Sequence, residues 1–258
     1  MTWQFASALN IGDRDEQQDR VTILHSGNAH LLVVADGMGG HADGAAAAQT
    51  VIDIATRRFT HEVYEKPGLF LAMSCLEAHK AILAQSTSTS APGSTCVMLY
   101  LVGNGAFCVH VGDSRMYQFR DNKLLFKTTD HSITELLKKH GKTTEDALED
   151  QSAQNQLYMC LGGKNEVIPE LSAMEVRSGD LLLLCSDGLW SQLSEQEILA
   201  YMDDGDWDRG KAEHLVHLAK QRGQGQSDNV SLAWAYGQDV AGHKESGLLN
   251  RLTGWLSH

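Results

Sequence analysis

The chain has 258 residues, of which 42% are hydrophobic and 21% are charged, and its formal net charge is −12. This length fits one large domain or two small ones, and the hydrophobic share is typical of a globular protein. The acidic balance argues against a nucleic-acid-binding protein, because phosphate contacts need basic side chains. An anionic substrate would need local positive charge, which bound divalent cations would supply.

The sequence shows no apolar run of membrane-spanning length and no signal-peptide pattern in its first residues. The five cysteines lack the paired spacing of a metal site. Most of them stand within apolar segments, which favours buried, reduced thiols. We therefore expect a cytoplasmic protein that does not bind membranes, and we expect a monomer.

The N-terminal segment alternates between apolar and polar stretches. Residues 3–9 predict a first strand, and a polar loop with Arg14 as its only cation follows. Asp19 then precedes a second predicted strand at 21–24. An exposed ion pair with neighbouring acids is the usual fate of an arginine such as Arg14.

A third strand, predicted at 31–35, is entirely apolar and ends in Asp36. The glycine-rich turn Gly37-Met38-Gly39-Gly40 follows, and an alanine-rich helix begins near Asp43. A carboxylate beside a backbone with little side-chain bulk suits close approach of a metal ion or a phosphate. A plain strand-turn-helix corner would explain Asp36 but explains the glycines less well.

The remaining elements follow from hydrophobic periodicity. Helices are predicted at 43–59, 69–84, 194–202 and 208–221, and strands at 94–102, 106–111, 116–120, 124–126, 171–176, 181–186 and 230–236. In the second helix an apolar stripe, which we expect to be core, consists of Leu69, Met73, Leu76 and Leu83. Ser194 with Glu197 predicts a capping box.

Two segments differ in character from the rest. Residues 130–165 carry charged, short helical patterns and few strand signals, which fits a mobile insertion over the sheet edge or a plain surface excursion. The segment 238–258 begins as a polar linker and ends with apolar residues at helical spacing. We expect this short tail helix to pack on its own domain, because the tail has too few cations for membrane binding. The folded domain is thus predicted to span 1–237.

Five aspartates stand at predicted strand ends, in polar or glycine-containing settings: Asp19, Asp36, Asp113, Asp187 and Asp228. One such residue is ordinary, because turns and helix caps favour Asp. Five of them predict carboxylates that converge at one edge of a sheet. Carboxylate oxygens are suitable ligands for Mg²⁺ or Mn²⁺, and two such ions can activate a water for attack on phosphorus.

Seven pieces of the sequence, in this order, resemble the motifs of the metal-dependent protein phosphatases of type 2C, the PPM family, and in particular its bacterial single-domain members. The pieces are Arg14-x-x-Gln17-Gln18-Asp19, Asp36-Gly37-Met38-Gly39-Gly40-His41, Gly93-Ser94-Thr95-Cys96-Val97, Val111-Gly112-Asp113-Ser114-Arg115-x-Tyr117, Asp130-His131-Ser132, Ser186-Asp187-Gly188-Leu189 and Ser227-Asp228-Asn229-Val230. The resemblance extends from about residue 5 to residue 236.

The resemblance implies an α+β fold, a four-layer α-β-β-α sandwich with two central antiparallel sheets. It implies hydrolysis of phosphoserine and phosphothreonine in proteins by a water bound to two Mn²⁺ or Mg²⁺ ions, with a looser third ion. It also implies phosphorylated proteins as partners, with a bacterial Ser/Thr kinase, an FHA-domain protein or a regulator of type VI secretion among the candidates.

The motif positions imply roles for individual residues. Asp36 would bridge both ions, and the Gly37 carbonyl would bind one of them. Asp187 and Asp228 would hold the first ion, with Asp19 in the same acidic cluster. Asp113, together with Asp187, would bind the third ion, and Arg14 would bind the phosphate. Residues 130–165 would form a flap.

Departures from the family pattern leave alternatives open. Met38 stands where eukaryotic members carry a histidine, so His41 is a candidate general acid, and a structural loop histidine is the competing interpretation. In the flap, Tyr158 and Met159 replace the family's Thr and Arg. A non-catalytic relative that binds phosphoproteins, or another two-metal phosphoesterase, are the alternatives to a phosphoprotein phosphatase.

Overall fold

Two five-stranded antiparallel sheets form the centre of the computed structural model, which describes residues 1–39, 42–59, 65–141, 156–201 and 207–238. In spatial order, the first sheet consists of β1 (Thr2–Asn10), β12 (Val230–Gln238), β11 (Leu181–Cys185), β8 (Arg115–Arg120) and β9 (Lys123–Lys127). The second sheet consists of β10 (Glu170–Glu175), β7 (Gly105–Val111), β6 (Cys96–Val102), β3 (Ala29–Ala35) and β2 (Arg20–Ser26). A separate two-stranded ribbon pairs β4 (Gly37–Met38) with β5 (Gly93–Ser94).

Helices cover the outer faces of the two sheets. The helices are α1 (Ala42–Arg58), α2 (Pro67–Leu83), α3 (Ile133–Lys139), α4 (Asp187–Trp190), α5 (Glu195–Ala200) and α6 (Arg209–Arg222). Helices α1 and α2 share a hydrophobic cluster with the second sheet, whereas α4 to α6 share one with the first sheet. A third cluster lies between the two sheets.

The alternation of side chains along the central strands explains this layering. In β3, Leu31 and Val33 pack with α1 and α2, whereas Leu32 and Val34 face the other sheet. Strand β11 likewise divides its leucines between the helical cluster and the inter-sheet cluster. Strands buried on both faces read as continuous apolar runs. The predicted four-layer α-β-β-α sandwich is confirmed.

Most predicted elements are confirmed, with boundaries that differ by a few residues. The Ser194 capping box is present, with the Ser194 hydroxyl accepting from the Glu197 backbone N–H and the Glu197 carboxylate accepting from the Ser194 N–H. The turn after Asp36 is not a plain loop, because Gly37–Met38 pairs with Gly93–Ser94. That pairing joins segments more than fifty residues apart, so local sequence does not signal it.

The predicted core stripe of α2 is wrong. Leu69, Met73 and Leu83 are 58%, 43% and 38% exposed, and Leu76 is only partly buried. The buried face consists instead of Pro67, Phe70, Leu71, Ser74, Cys75, Ala78 and Ile82. Since α2 is apolar on two adjacent faces, helical periodicity alone does not decide which face meets the sheet.

Several predictions concern segments outside the described residues. These segments include His41, the centre of the predicted flap at 142–155, Met202 and the tail at 239–258. All five cysteines are unpaired, as predicted, and four of them are buried, whereas Cys160 is only partly buried. Among the described helices, none has both the length and the apolar character needed to cross a membrane.

Candidate active site

Four aspartates predicted from the sequence line one cavity of about 580 Å³ at an end of the sandwich. They are Asp36, Asp113, Asp187 and Asp228. Asp36 follows β3, Asp113 lies between β7 and β8, Asp187 follows β11, and Asp228 precedes β12. Since neighbouring strands in these sheets are antiparallel, such alternate strand ends meet at one edge, as predicted.

Asp19, the fifth aspartate, is buried directly beside this group. Its Oδ2 accepts a hydrogen bond of 2.7 Å from the Ser186 hydroxyl, and its Oδ1 is buried without a hydrogen-bond partner in the described residues. Burial raises the pKa of Asp19 to about 7 against the opposing effect of the Ser186 hydrogen bond, and the charges of Asp187 and Asp228 add to the rise.

The pKa values of Asp36 and Asp187 are raised as well. Burial raises the pKa of Asp36 well above its ordinary value, and the neighbouring carboxylates raise it further. Burial and the charge of Asp228 raise the pKa of Asp187 to about 6, although the positive charge of Arg14 opposes the shift. The Oδ1 of Asp187 is also buried without a partner in the described part of the chain. These carboxylates therefore lack the positive charge that their number requires.

The backbone of Asp36 is held by the segment that follows β5. The Thr95 hydroxyl accepts a 3.0 Å hydrogen bond from the Asp36 N–H, and the Asp36 carbonyl accepts from the Thr95 N–H at 2.8 Å. Thr95 Oγ1 also lies 2.6 Å from the Ser114 hydroxyl, next to Asp113. One threonine thus links the Asp36 strand end to the Asp113 turn.

Gly37 is required by packing. A Cβ at this position would lie 2.1 Å from the Gly44 carbonyl oxygen in α1 and 2.9 Å from the Gln18 carbonyl oxygen. This position therefore excludes a side chain, because α1 and the segment before Asp19 approach the Gly37 backbone closely. This packing places the Gly37 backbone at the cavity wall.

Arg14 reaches the cavity from the loop between β1 and β2. Its guanidinium donates to Asp228 Oδ2 at 2.7 Å, and the two side chains are 60% and 41% exposed. Asn229 fixes this loop, because its Oδ1 accepts from the Gln18 N–H and its Nδ2 donates to the Ile11 and Glu16 carbonyls. Arg14 pairs with a distant site residue rather than with its sequence neighbours.

The donor set fits divalent cations that prefer oxygen ligands. The residues that line the cavity include six carboxylates and one cationic side chain, that of Arg14. Two buried carboxylate oxygens, Asp19 Oδ1 and Asp187 Oδ1, have no hydrogen bond within the described residues. Hard carboxylate oxygens suit Mg²⁺ or Mn²⁺, and such ions would relieve the repulsion that raises the pKa values of these acids.

A second group of potential ligands lies outside this cavity. The nitrogen and oxygen atoms of His110, His131 and Glu170 lie within 4.8 Å of one another. However, His131 Nδ1 accepts the Gly112 N–H, so in a neutral ring Nε2 carries the hydrogen and faces Glu170. His110 Nε2 donates to the Thr129 carbonyl. These bonds give both rings a structural role near the start of the predicted flap segment.

Sequence reasoning placed the aspartates but missed the side chains that fix them. Ser186, Thr95 and Asn229 lie within quoted motifs, yet their hydrogen-bond roles were not predicted. Trp190 had no predicted role, although its Nε1 donates to the Asp113 carbonyl at 2.9 Å. These contacts join positions far apart in the chain, so only adjacency to a predicted ligand could have signalled them.

Comparison with known proteins identifies the family. Residues 9–221 match the family model described as Protein phosphatase 2C. The chain belongs to the protein phosphatase 2C family. Among curated relatives, the serine/threonine protein phosphatase PstP of Mycobacterium tuberculosis is 35% identical over 80% of this chain. The protein phosphatase PhpP of Streptococcus pneumoniae is 30% identical over 85% of this chain and 91% of its own length.

The match with PstP covers only 40% of that protein's length. The matches to solved structures extend over nearly the full length of both chains. A serine/threonine phosphatase of Streptococcus agalactiae has a TM-score of 0.83 and 29% identity, over 92% of this chain and all of that chain. The catalytic domain of PstP, solved in complex with two manganese ions, has a TM-score of 0.79 and 31% sequence identity, over 92% of this chain and 99% of that chain.

PppA of Pseudomonas aeruginosa, described as a key regulatory component of the type VI secretion system, gives a TM-score of 0.73 and 28% identity. The match covers 92% of this chain and 98% of that one. The described domain is thus a protein phosphatase 2C domain of the bacterial Ser/Thr phosphatase type. Its family implies dependence on divalent metal ions, in agreement with the donor set of the cavity.

Proposed function

We propose that this protein is a metal-dependent phosphatase that hydrolyses phosphoserine and phosphothreonine in proteins. The observation that carries this proposal is the convergence of four aspartates and Arg14, from segments far apart in the chain, on one cavity, with Asp19 buried beside them. A fold can lose activity while it keeps its core, but here two buried carboxylate oxygens, Asp19 Oδ1 and Asp187 Oδ1, have no hydrogen-bond partner within the described residues. Such acids are costly to retain without ions to bind.

The residues present would hold two ions at the cavity floor. Asp36 is the candidate ligand shared by both ions, and the Gly37 carbonyl would bind one of them. Asp187 and Asp228 would complete the protein ligands of one ion, and Asp19 is buried beside them. Bound divalent ions would supply an activated water for attack on phosphorus near neutral pH. Asp113 is the candidate ligand of a third, weaker site, shared with Asp187. Mn²⁺ and Mg²⁺ both suit this donor set.

The side chains around the ions have separate tasks. Arg14 lies at the cavity mouth and can turn from Asp228 towards a phosphate, whose two oxygens match the guanidinium fork. Leu157, within the predicted flap segment 130–165, lines the same cavity, and its apolar side chain would limit the access of water to the reacting group. His41, the candidate general acid, lies outside the described residues, so its role stays a prediction.

The substrates and setting are proposed from the family. Phosphorylated proteins are the substrates, and a bacterial Ser/Thr kinase, or an FHA-domain protein that it phosphorylates, fits as a partner. The likeness to PppA supports a role in the regulation of type VI secretion. The free thiols support a cytoplasmic setting, since oxidising compartments favour disulfides. We propose a monomer.

The proposal is tested with a phosphothreonine peptide and p-nitrophenyl phosphate. Turnover should require Mn²⁺ or Mg²⁺ and disappear after exhaustive chelation. Asp36→Asn and Asp187→Asn should lose most activity, retain native circular dichroism, and gain less thermal stability from Mn²⁺ than the wild type. Asp53→Asn is the matched control, because Asp53 is an exposed acid of α1 that accepts from Gln49. Undiminished turnover in the chelated protein would refute the proposal.

A further inference from the structure

Trp190 connects two of the proposed metal ligands. It is the last residue of α4, a four-residue helix whose first residue is Asp187. Its indole Nε1–H donates to the backbone carbonyl of Asp113 at 2.9 Å. A single rigid turn therefore carries one proposed ligand at its start and holds the backbone of another from its end.

The orientation of the Trp190 ring is itself fixed. The guanidinium carbon of Arg115 lies 3.6 Å from the centroid of the ring. Arg115 is held in turn by two hydrogen bonds of 2.8 Å and 2.7 Å to the carboxylate of Asp130. The Arg115 and Asp130 side chains are only 17% and 8% exposed, so this arrangement is shielded from solvent. A cation above an indole face and a bidentate ion pair both restrict rotation.

The neighbours of Asp113 are anchored to other parts of the fold. The Gly112 N–H donates to His131 Nδ1, and the Ser114 hydroxyl contacts Thr95 beside the Asp36 segment. The Trp190 bond ties the backbone of Asp113 to the helix that bears Asp187. A metal site formed between two acids depends on their separation to within a fraction of an ångström.

We propose that Trp190 is a positioning residue that sets the geometry of the outer ion site between Asp113 and Asp187. This inference rests on the proposed function, because it assumes that both acids bind ions. Trp190 is not among the residues that line the cavity, and it acts through the Asp113 carbonyl. Asp36, Asp187 and Asp228 would keep the tight core ions without it, because each has another anchor. The Asp36 N–H donates to the Thr95 hydroxyl, the Ser186 N–H beside Asp187 donates to the Ser231 carbonyl, and the Asp228 carboxylate accepts from the Asn229 N–H.

The test uses Trp190→Phe, which keeps an aromatic face for Arg115 and removes the N–H donor. Loss of one hydrogen bond should weaken Mn²⁺ binding at the outer site by about three- to tenfold. Calorimetry or Mn²⁺ electron paramagnetic resonance should show unchanged affinity at the tight sites. The Mn²⁺ concentration that gives half-maximal turnover should rise by a similar factor, with the KM for the peptide unchanged.

Two controls separate positioning from a general structural effect. Trp207→Phe removes an indole whose Nε1 has no hydrogen-bond partner among the described residues, so it should leave Mn²⁺ binding unchanged. In a protein that already carries Asp113→Ala, Trp190→Phe should cause no further loss of turnover. If Trp190→Phe does not fold, replacement of Trp190 by benzothienylalanine removes the N–H and keeps the ring size.

The outcomes distinguish this inference from the proposed function. A wild type that binds no Mn²⁺ and has no turnover would refute both. A wild type with two tight sites but no weaker one, or variants with wild-type affinity at the weaker site, would overturn only the role of Trp190. Weaker outer binding in the Trp190 variants with intact tight sites, and no effect in Trp207→Phe, would support it.

Discussion

Arg14 forms an ion pair with Asp228, and its position at the cavity also allows it to bind a phosphate. Its guanidinium donates to Asp228, an acid that is itself a proposed ion ligand, and it is 60% exposed at the mouth of the cavity. An exposed ion pair of this kind contributes little to stability. Release of Arg14 from Asp228 therefore costs little, and a phosphate dianion in a protein of net charge −12 needs a positive partner.

Arg14→Ala should accordingly reduce kcat/KM for a phosphothreonine peptide by about ten- to a hundredfold, since charge-assisted hydrogen bonds contribute roughly 1.5–3 kcal/mol. Most of the loss should appear in KM, and Arg14→Lys should restore activity only in part, because an ammonium lacks the guanidinium fork. Steady-state kinetics with a Mn²⁺ titration measure both effects.

The matched control for Arg14 is Arg209→Ala. Arg209 forms an exposed ion pair with Glu213 on α6 and does not line the cavity. Its loss should leave the kinetics within error of the wild type. Equal kinetics for Arg14→Ala and the wild type would make the Asp228 pair a surface contact without a role in substrate binding.

At the scale of elements, the sequence predicts strands and their apolar faces well, but it does not predict long-range pairing. The continuous apolar run of β3 is sufficient to indicate burial on both sides. By contrast, the β4–β5 ribbon depends on a partner far along the chain. Helix α2 offers two apolar faces, and tertiary packing selects the one that sequence periodicity did not favour.

The same limit applies to the candidate site. Aspartates at strand ends follow from local pattern, so their convergence could be predicted. The Ser186 hydrogen bond to Asp19 and the Trp190 bond to Asp113 join residues 167 and 77 positions apart. No local signal marks such contacts. The convergence of the acids was therefore accessible from sequence, whereas the groups that orient them required the structure.

The β4–β5 ribbon and α1 make Gly37 intolerant of a side chain. In Gly37→Ala the new Cβ would meet the Gly44 carbonyl oxygen at 2.1 Å, so the chain at Asp36 or the start of α1 must shift. We expect a lower melting temperature and a large loss of turnover, because Asp36 is adjacent. Differential scanning calorimetry and peptide kinetics measure the two effects.

Gly68→Ala is the control for this substitution. Gly68 lies in α2, and a Cβ there would meet no atom within 4 Å. Alanine is favoured over glycine within a helix by up to about 1 kcal/mol, so stability should stay constant or rise. A Gly37→Ala protein with wild-type stability and turnover would show that the ribbon tolerates movement without consequence for the site.

At the scale of the whole molecule, the sandwich brings together acids that repel one another. Without ions, burial first and neighbouring charges second raise the pKa of Asp19 and of Asp113 to about 7 and that of Asp187 to about 6, from an ordinary value of 3.8. The pKa of Asp36 is raised as well. The folded protein therefore holds protons that the unfolded chain releases.

Stability of the ion-free protein should accordingly fall as the pH rises. A raised carboxyl pKa means that the native state binds more protons than the unfolded state, so the free energy of unfolding decreases between about pH 4 and about pH 7. Mn²⁺ binds the ionised acids, so its stabilising effect should be larger at about pH 7.5 than at about pH 5. Thermal unfolding with chelator and with Mn²⁺ at both pH values measures the difference.

Burial lowers the pKa of His30, His79 and His131, and this shift makes stability rise with pH, opposite to the effect of the acids. The decisive comparison is therefore with Asp36→Asn, which keeps these histidines and removes one acid of the cluster. Its ion-free stability should fall less with pH, and an identical pH profile for the two proteins would show that the acids do not oppose folding.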